Sequence, residues 1–128
     1  QRLVRKIHEA CKEPFVPPAD QLDTVKKILA NLPAASGETV PPPEQWKFFH
    51  GKGCDACNGS GFKGRVGAYE VLVMDDAIRE ALTETLSEYK VRELAKAQGM
   101  VTMPQDGMLK ALDGLTTIEE VLRNVGEG

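Results

Sequence analysis

Three cysteines and two histidines are the residues of this 128-residue chain whose types and spacing could do chemistry. One motif, CDAC, carries two thiols in a glycine-rich stretch, and a second, HEAC, repeats the spacing with an imidazole in place of one thiol. Two donors at this spacing can bind one Zn²⁺ from a single tight turn, and Zn²⁺ prefers four tetrahedral nitrogen or sulfur ligands. The sequence therefore predicts a Cys₃His zinc site formed by His8, Cys11, Cys54 and Cys57.

A site of this kind is structural rather than catalytic, because four protein ligands leave no open position for water or substrate. An odd number of cysteines also cannot close a disulfide framework without leaving one thiol free, which favours metal ligation. Glycines around the CDAC motif fit the same interpretation, since tight turns at a metal need close backbone approach and positive φ.

Other interpretations compete at single residues. His50 precedes Cys54 by four positions and could replace His8 as the nitrogen ligand. A redox role for Cys54 and Cys57 is a further alternative, although thioredoxin-like pairs open a helix and the NGSG that follows here resists helix formation. Cys11 by itself would be typical of a buried small residue.

Composition limits the function classes. The apolar fraction of 41% and charged fraction of 27% are typical of a soluble globular protein. The net charge of −3 argues against nucleic-acid binding, and the cations near the N-terminus, Arg2, Arg5, Lys6 and Lys12, are predicted to be a solvated face. No apolar run predicts membrane insertion or a signal peptide, so we expect a cytoplasmic location. Phosphate-loop, nucleophile-elbow and zinc-protease motifs are absent from the sequence, and we predict no catalytic residue.

Hydrophobic periodicity predicts an α+β fold. Alternation of Leu3, Arg5 and Ile7 favours a strand, and an apolar helical face predicts a helix over 19–32, followed by a surface loop over 33–43. A short strand is predicted over 45–50, and the β-formers in RVGAYEVLVM predict a buried strand that includes Val66, Tyr69, Val71, Leu72 and Val73.

Capping signals predict that the rest of the chain is a helical bundle. Asp75 or Asp76 could begin its first helix, Ser87 the second, Pro104 the third, and Thr116 or Thr117 the last. We therefore expect a zinc-binding module of short strands over 1–74, with the helix and loop inserted in it, and a helical C-terminal subdomain over 75–128. The apolar residues directly after Gln1 also suggest that the chain is a fragment of a larger protein.

The order of these motifs resembles the C-terminal region of the type IV pilus assembly and type II secretion ATPases, the PilB/GspE-type traffic ATPases. The resemblance runs nearly end to end, through QRLVRKI at 1–7, GKGCDACNGSGFKGRVGAYEVLVMDDAIRE at 51–80, VRELAKAQGM at 91–100 and DGMLKALDGLTTIEEVLRNV at 106–125. In that family the first ligand pair is usually Cys-x-x-Cys, so His8 is a departure that preserves the zinc chemistry. The loop over 33–43 is also longer than usual.

This resemblance implies a hexameric P-loop ATPase at the cytoplasmic face of the inner membrane. ATP and Mg²⁺ would bind only upstream of Gln1, where the family's Walker motifs lie, and this part would contribute a rigid zinc-braced arm. Its implied partners are neighbouring subunits of a homohexamer and an inner-membrane platform protein. Two rivals are a cysteine-rich chaperone module similar to that of DnaJ, which needs four CxxCxGxG repeats where this chain has one, and a free-standing zinc-binding adaptor.

Overall fold

The computed structural model describes residues 1–84 and 87–127 and has the α+β fold that the sequence predicts. Four strands and five helices follow one another along these residues: β1 (Arg2–Ile7), β2 (Lys12–Phe15), α1 (Ala19–Ala30), β3 (Phe48–Gly51), β4 (Phe62–Ala68), α2 (Asp76–Glu84), α3 (Glu88–Ala97), α4 (Met103–Leu112) and α5 (Ile118–Val125). Among the helices within the described residues, none is both long and apolar enough to cross a bilayer.

The strands form two antiparallel ribbons. β1 pairs with β4 in a register that runs from Arg2 opposite Ala68 to Arg5 opposite Arg65, and β2 pairs with β3. The predicted strand at the N-terminus is confirmed, but Val4 rather than Leu3 faces inward, and a β-bulge after Arg5 brings Ile7 into the interior as well. β2 was not predicted, because Pro14 is typical of a break; it is tolerated in this short ribbon, which has no third strand.

One hydrophobic core joins the first half of the chain to the second. It contains Val25, Ile28, Leu29, Phe48, Met108, Ala111, Ile118 and Val121. α4 and α5 approach closely within it, because a side chain at Gly107 would lie 2.6 Å from the Val121 side chain. The core thus contains residues of both predicted parts, 1–74 and 75–128, and the division of the chain into these parts stays a prediction.

The predicted helix starts are confirmed to within one residue, since α4 begins at Met103 where Pro104 was predicted to open the helix. The Asp75 carboxylate accepts a hydrogen bond from the Ile78 amide at 2.9 Å, and the Thr117 hydroxyl accepts one from the Glu120 amide at 3.1 Å. Thr102 caps α4, with Pro104 in its first turn. These side chains satisfy amides that have no partner inside a helix.

The buried strand predicted within RVGAYEVLVM is wrong beyond Ala68. β4 ends there, and Val71, Leu72 and Val73 are exposed. β-propensity describes residues that suit a pleated, half-buried surface, and it does not supply the neighbouring strand that a sheet needs. In this structure the pairing of β4 with β1 ends where Ala68 lies opposite Arg2.

Candidate metal centre

His8, Cys11, Cys54 and Cys57 converge on one point, and their ligand atoms all lie within 4.8 Å of one another. The Cys54 sulfur lies 3.6 Å from that of Cys57 and 3.3 Å from His8 Nδ1, while the Cys11 sulfur lies 3.9 Å and 3.5 Å from the same two atoms. Tetrahedral ligation of Zn²⁺ at normal bond lengths places sulfurs about 3.8 Å apart and a sulfur and a nitrogen about 3.6 Å apart. These four distances are close to the tetrahedral values, so the four residues could hold one metal ion, and their donor set suits zinc.

Both ligand pairs use the same local structure. His8 and Cys54 have extended backbones, and each is followed by one 3₁₀ turn that ends at Cys11 or Cys57. The fourth residue of each turn donates its amide to the carbonyl of the first, at 3.2 Å and 3.3 Å. Each turn folds its two side chains back to the same side, which is why a spacing of two intervening residues suits a metal.

Backbone contacts hold the two turns against each other. The His8 amide donates to the Gly61 carbonyl and the Lys52 amide to the Cys11 carbonyl, both at 2.9 Å. Gly51 and Gly61 touch, since a Cβ at Gly51 would lie 2.0 Å from the Gly61 carbonyl oxygen and one at Gly61 would lie 2.5 Å from that of Gly51. Only glycine permits this approach, and Gly61 also has a φ of 79°.

Amides in the second turn favour the thiolate form of Cys57. Burial by itself raises the pKa of this thiol, but amide hydrogen bonds from Cys54 and Gly61, at 3.3 Å and 3.2 Å, lower it to about 5. A thiolate is the form of cysteine that binds a metal. Burial, which dominates at Cys11, raises the pKa of that thiol instead.

His50 lies outside the cluster. It faces Glu13 across the β2–β3 ribbon, and its Nε2 lies 2.9 Å from the Glu13 carboxylate. The ring also packs 5.2 Å from that of Phe15. The structure therefore brings His8, and not His50, to the three sulfurs.

An ion pair that no sequence pattern indicates connects the ligand-bearing strand β1 to α5. Arg5 is predicted to lie on a solvated face, but it pairs with Glu120, which is only 3% exposed and accepts hydrogen bonds from the Arg5 guanidinium at 2.7 Å and the Arg5 amide at 2.8 Å. The buried Thr116 hydroxyl donates to the Arg5 carbonyl at 2.8 Å. The pair spans 115 residues, so no local pattern could have found it.

Comparison with known proteins gives consistent matches over almost the whole chain. A family model described as type II/IV secretion system protein matches residues 1–123. The chain is 38% identical to the type IV pilus assembly ATPase PilB of Thermus thermophilus over 95% of its length, and 38% identical to type II secretion system protein E of Pseudomonas aeruginosa over 96%. It is 31% identical to the type II secretion system ATPase E of Vibrio cholerae. The chain spans 12% of the Thermus protein and 22% of the other two.

Proposed function

The chain belongs to the type II/IV secretion system protein family, and we propose that it is the C-terminal zinc-binding domain of a hexameric P-loop ATPase that powers type IV pilus assembly or type II secretion. Its role in that ATPase is structural and mechanical. ATP and Mg²⁺ bind elsewhere in the longer polypeptide, and this domain hydrolyses nothing by itself.

The convergence of four donors at metal-ligand spacing carries the proposal. His8 Nδ1 and the sulfurs of Cys11, Cys54 and Cys57 hold one Zn²⁺, which supplies a cross-link between the β1–β2 connection and the turn ahead of β4. Three thiolates and a neutral imidazole give the site a formal charge of −1. The amides of Cys54 and Gly61 point partial positive charge at the Cys57 sulfur and offset part of it.

The surroundings of the site support a bracing role. The turns that carry the ligands bury little apolar surface of their own, since Asp55, Ala56, Asn58 and Gly59 are exposed. Small modules without a sizeable core depend on metals or disulfides for stability. A rigid cross-link here would transmit motion of the ATPase to neighbouring subunits of the homohexamer and to an inner-membrane platform protein, at the cytoplasmic face of that membrane.

Elemental analysis of the purified chain tests the zinc site. We expect one zinc per chain, a large loss of zinc in His8→Ala, and full zinc content in His50→Ala. The two variants remove the same side chain, so they differ only in whether the histidine lies at the cluster. Zinc loss in His50→Ala but not in His8→Ala would refute the ligand set.

The mechanical role needs the full-length protein. We expect a Cys54→Ser, Cys57→Ser double variant to lose pilus assembly or secretion, and to lose zinc, while its nucleotide-binding region still folds. Unchanged assembly and ATP hydrolysis in a zinc-free double variant would contradict the role. A G-x-x-x-x-G-K-[ST] motif upstream in the same gene product would separate the ATPase from a free-standing adaptor.

A further inference from the structure

The segment that follows β4 exposes consecutive large apolar side chains. Residues 69–74 have the sequence YEVLVM, and no turn or bend interrupts them before α2 begins. Val71 is 66% exposed and Val73 61%, and Tyr69, Leu72 and Met74 are exposed as well. Contiguous apolar patches on a soluble protein mark a surface that something covers. We call residues 69–74 the apolar segment.

Two side chains hold the apolar segment in place. The Asp106 carboxylate accepts the Tyr69 amide at 2.8 Å. The Gln98 amide group binds both backbone groups of Val73, accepting from its N–H and donating to its C=O, each at 2.9 Å. The segment therefore presents its other backbone groups in a fixed arrangement.

The backbone direction of β4 identifies which groups those are. Glu120 and Thr116 occupy the amide and carbonyl of Arg5 from the α5 side, so Arg5 and its partner Arg65 do not exchange hydrogen bonds. In an antiparallel pair bonded and unbonded positions alternate, so Val66 and Ala68 direct their backbone groups toward β1.

The same alternation continues along the apolar segment. Tyr69 and Val73, at odd positions like Arg65, bond to Asp106 of α4 and to Gln98, the residue that follows α3. By this alternation the N–H and C=O of Glu70, Leu72 and Met74, at even positions, belong on the side of β1. Within residues 1–84 and 87–127, none of these groups forms a backbone hydrogen bond outside the helices and strands. The result is an open strand edge with apolar side chains on both of its faces.

We propose that the apolar segment is the continuation of β4, and that its partner is an antiparallel strand of the same polypeptide that continues β1 directly ahead of Gln1. Paired residues of β1 and β4 have numbers that sum to 70, as in Arg2 with Ala68. Continued by one step, this register places Gln1 opposite Tyr69 and the residues before Gln1 opposite positions 70–74. The inference rests on the proposed function, in which the domain is part of a longer ATPase.

A strand of the same polypeptide fits this edge better than a second copy of the domain. β1 already occupies the edge as far as Arg2, so any partner must be collinear with it. A strand that simply continues β1 is collinear without closing a loop, whereas a strand of another copy would have to abut the start of β1 end to end. The relatives are long enough to supply such a segment, since this chain spans 12% to 22% of them.

Hydrogen exchange read by mass spectrometry tests the proposal. The same peptide, covering 69–74, is followed in the 128-residue chain and in the full-length gene product, and zinc content and ATP hydrolysis are measured on the same samples. We expect exchange of the Glu70, Leu72 and Met74 amides to slow by about 100-fold or more in the longer protein. Equal, fast exchange in a longer protein that keeps zinc and hydrolyses ATP would overturn this inference and leave the proposed function standing.

A pair of proline variants in the longer protein provides the control. Leu72→Pro removes an N–H directed at the proposed strand, and we expect it to restore fast exchange in the peptide. Val71→Pro removes an N–H directed the other way, and we expect exchange to stay slow. Slow exchange in both variants would contradict the pairing. If exchange in the 128-residue chain is slow, and becomes slower as the protein concentration rises, the proposed pairing would also be overturned, in favour of a second copy of the domain. A gene product that hydrolyses no ATP would refute the proposed function, while the exchange comparison would still decide the pairing.

Discussion

The ligand turns and the hydrophobic core hold together in different ways. In the turns, four donor atoms and the contact between Gly51 and Gly61 fix the geometry, and most neighbouring side chains are exposed. In the core, Val25, Met108 and Val121 are fully buried and no charged group is needed. The first region depends on a few specific atoms, and the second on summed apolar burial. Changes to one should therefore be separable from changes to the other.

Metal removal should have the largest effect, and it should unfold the ligand turns while leaving the hydrophobic core intact. We expect chelation, or the Cys54→Ser, Cys57→Ser variant, to destabilise the turns by on the order of 5 kcal/mol or more, because structural zinc contributes folding energy directly. Circular dichroism should show that the helices persist, while hydrogen exchange of 51–62 becomes fast. Simultaneous loss of α4 and α5 would show that the two regions are not separable.

Truncation in the core should give the converse result. Met108→Ala should cost about 2–5 kcal/mol, because a fully buried side chain leaves a cavity. Urea unfolding measures the loss, and zinc content measured alongside should stay at one per chain. A variant that lost zinc in native buffer would contradict the separation.

Two glycine variants test how much the contact between Gly51 and Gly61 contributes to the ligand turns. Gly61→Ala and Gly59→Ala both place alanine at positive φ, 79° and 76°, but only the first puts a Cβ against another backbone. We expect Gly59→Ala to destabilise the fold by about 1 kcal/mol, because alanine is strained at positive φ. Gly61→Ala should destabilise it by at least about twice as much, because the clash with Gly51 adds to that strain. Zinc affinity by competition with a chelator should fall only in Gly61→Ala, and equal effects would mean that the contact with Gly51 is unimportant.

Loss of the Arg5–Glu120 pair should have a smaller effect than Gly61→Ala, with a defined pH dependence. Burial by itself raises the pKa of Glu120, but the hydrogen bonds and charge of Arg5 lower it below its ordinary value. Because the folded pKa is depressed, the stabilisation is complete above the unfolded pKa of about 4.3 and is lost as pH falls through the folded value.

Glu120→Gln should therefore cost about 1–2 kcal/mol at pH 7, with a modest value because the Arg5 side chain is 46% exposed. Urea midpoints at pH 7 and pH 3 test this, and the gap between the original chain and the variant should shrink on acidification. Both proteins lose metal in acid, so that loss cancels in the comparison. A gap that stays constant with pH would mean that the carboxylate charge contributes nothing.

How much the sequence foretells differs between features. The helices and their caps were predictable because Asp75, Ser87 and Thr117 act within one turn of their own position. The convergence of His8 with the sulfurs was predictable because ligand chemistry restricts which residues can meet at a metal. The Arg5–Glu120 pair and the end of β4 at Ala68 were not, because each depends on which residues lie beside a strand, and a local sequence pattern does not contain that information.

The attachment of β1 to α5 has a consequence for how load would pass through the domain. Glu120 grips Arg5 by backbone and side chain, and His8 follows three residues later. Because the span from Arg5 to His8 is short and extended, it can lengthen very little. A force applied to α5 would therefore be transmitted almost undiminished to the His8 imidazole. The Arg5–Glu120 ion pair and the ligand cluster would then bear the same load in series. The weaker of the two would set the force at which β1 separates from the rest of the domain.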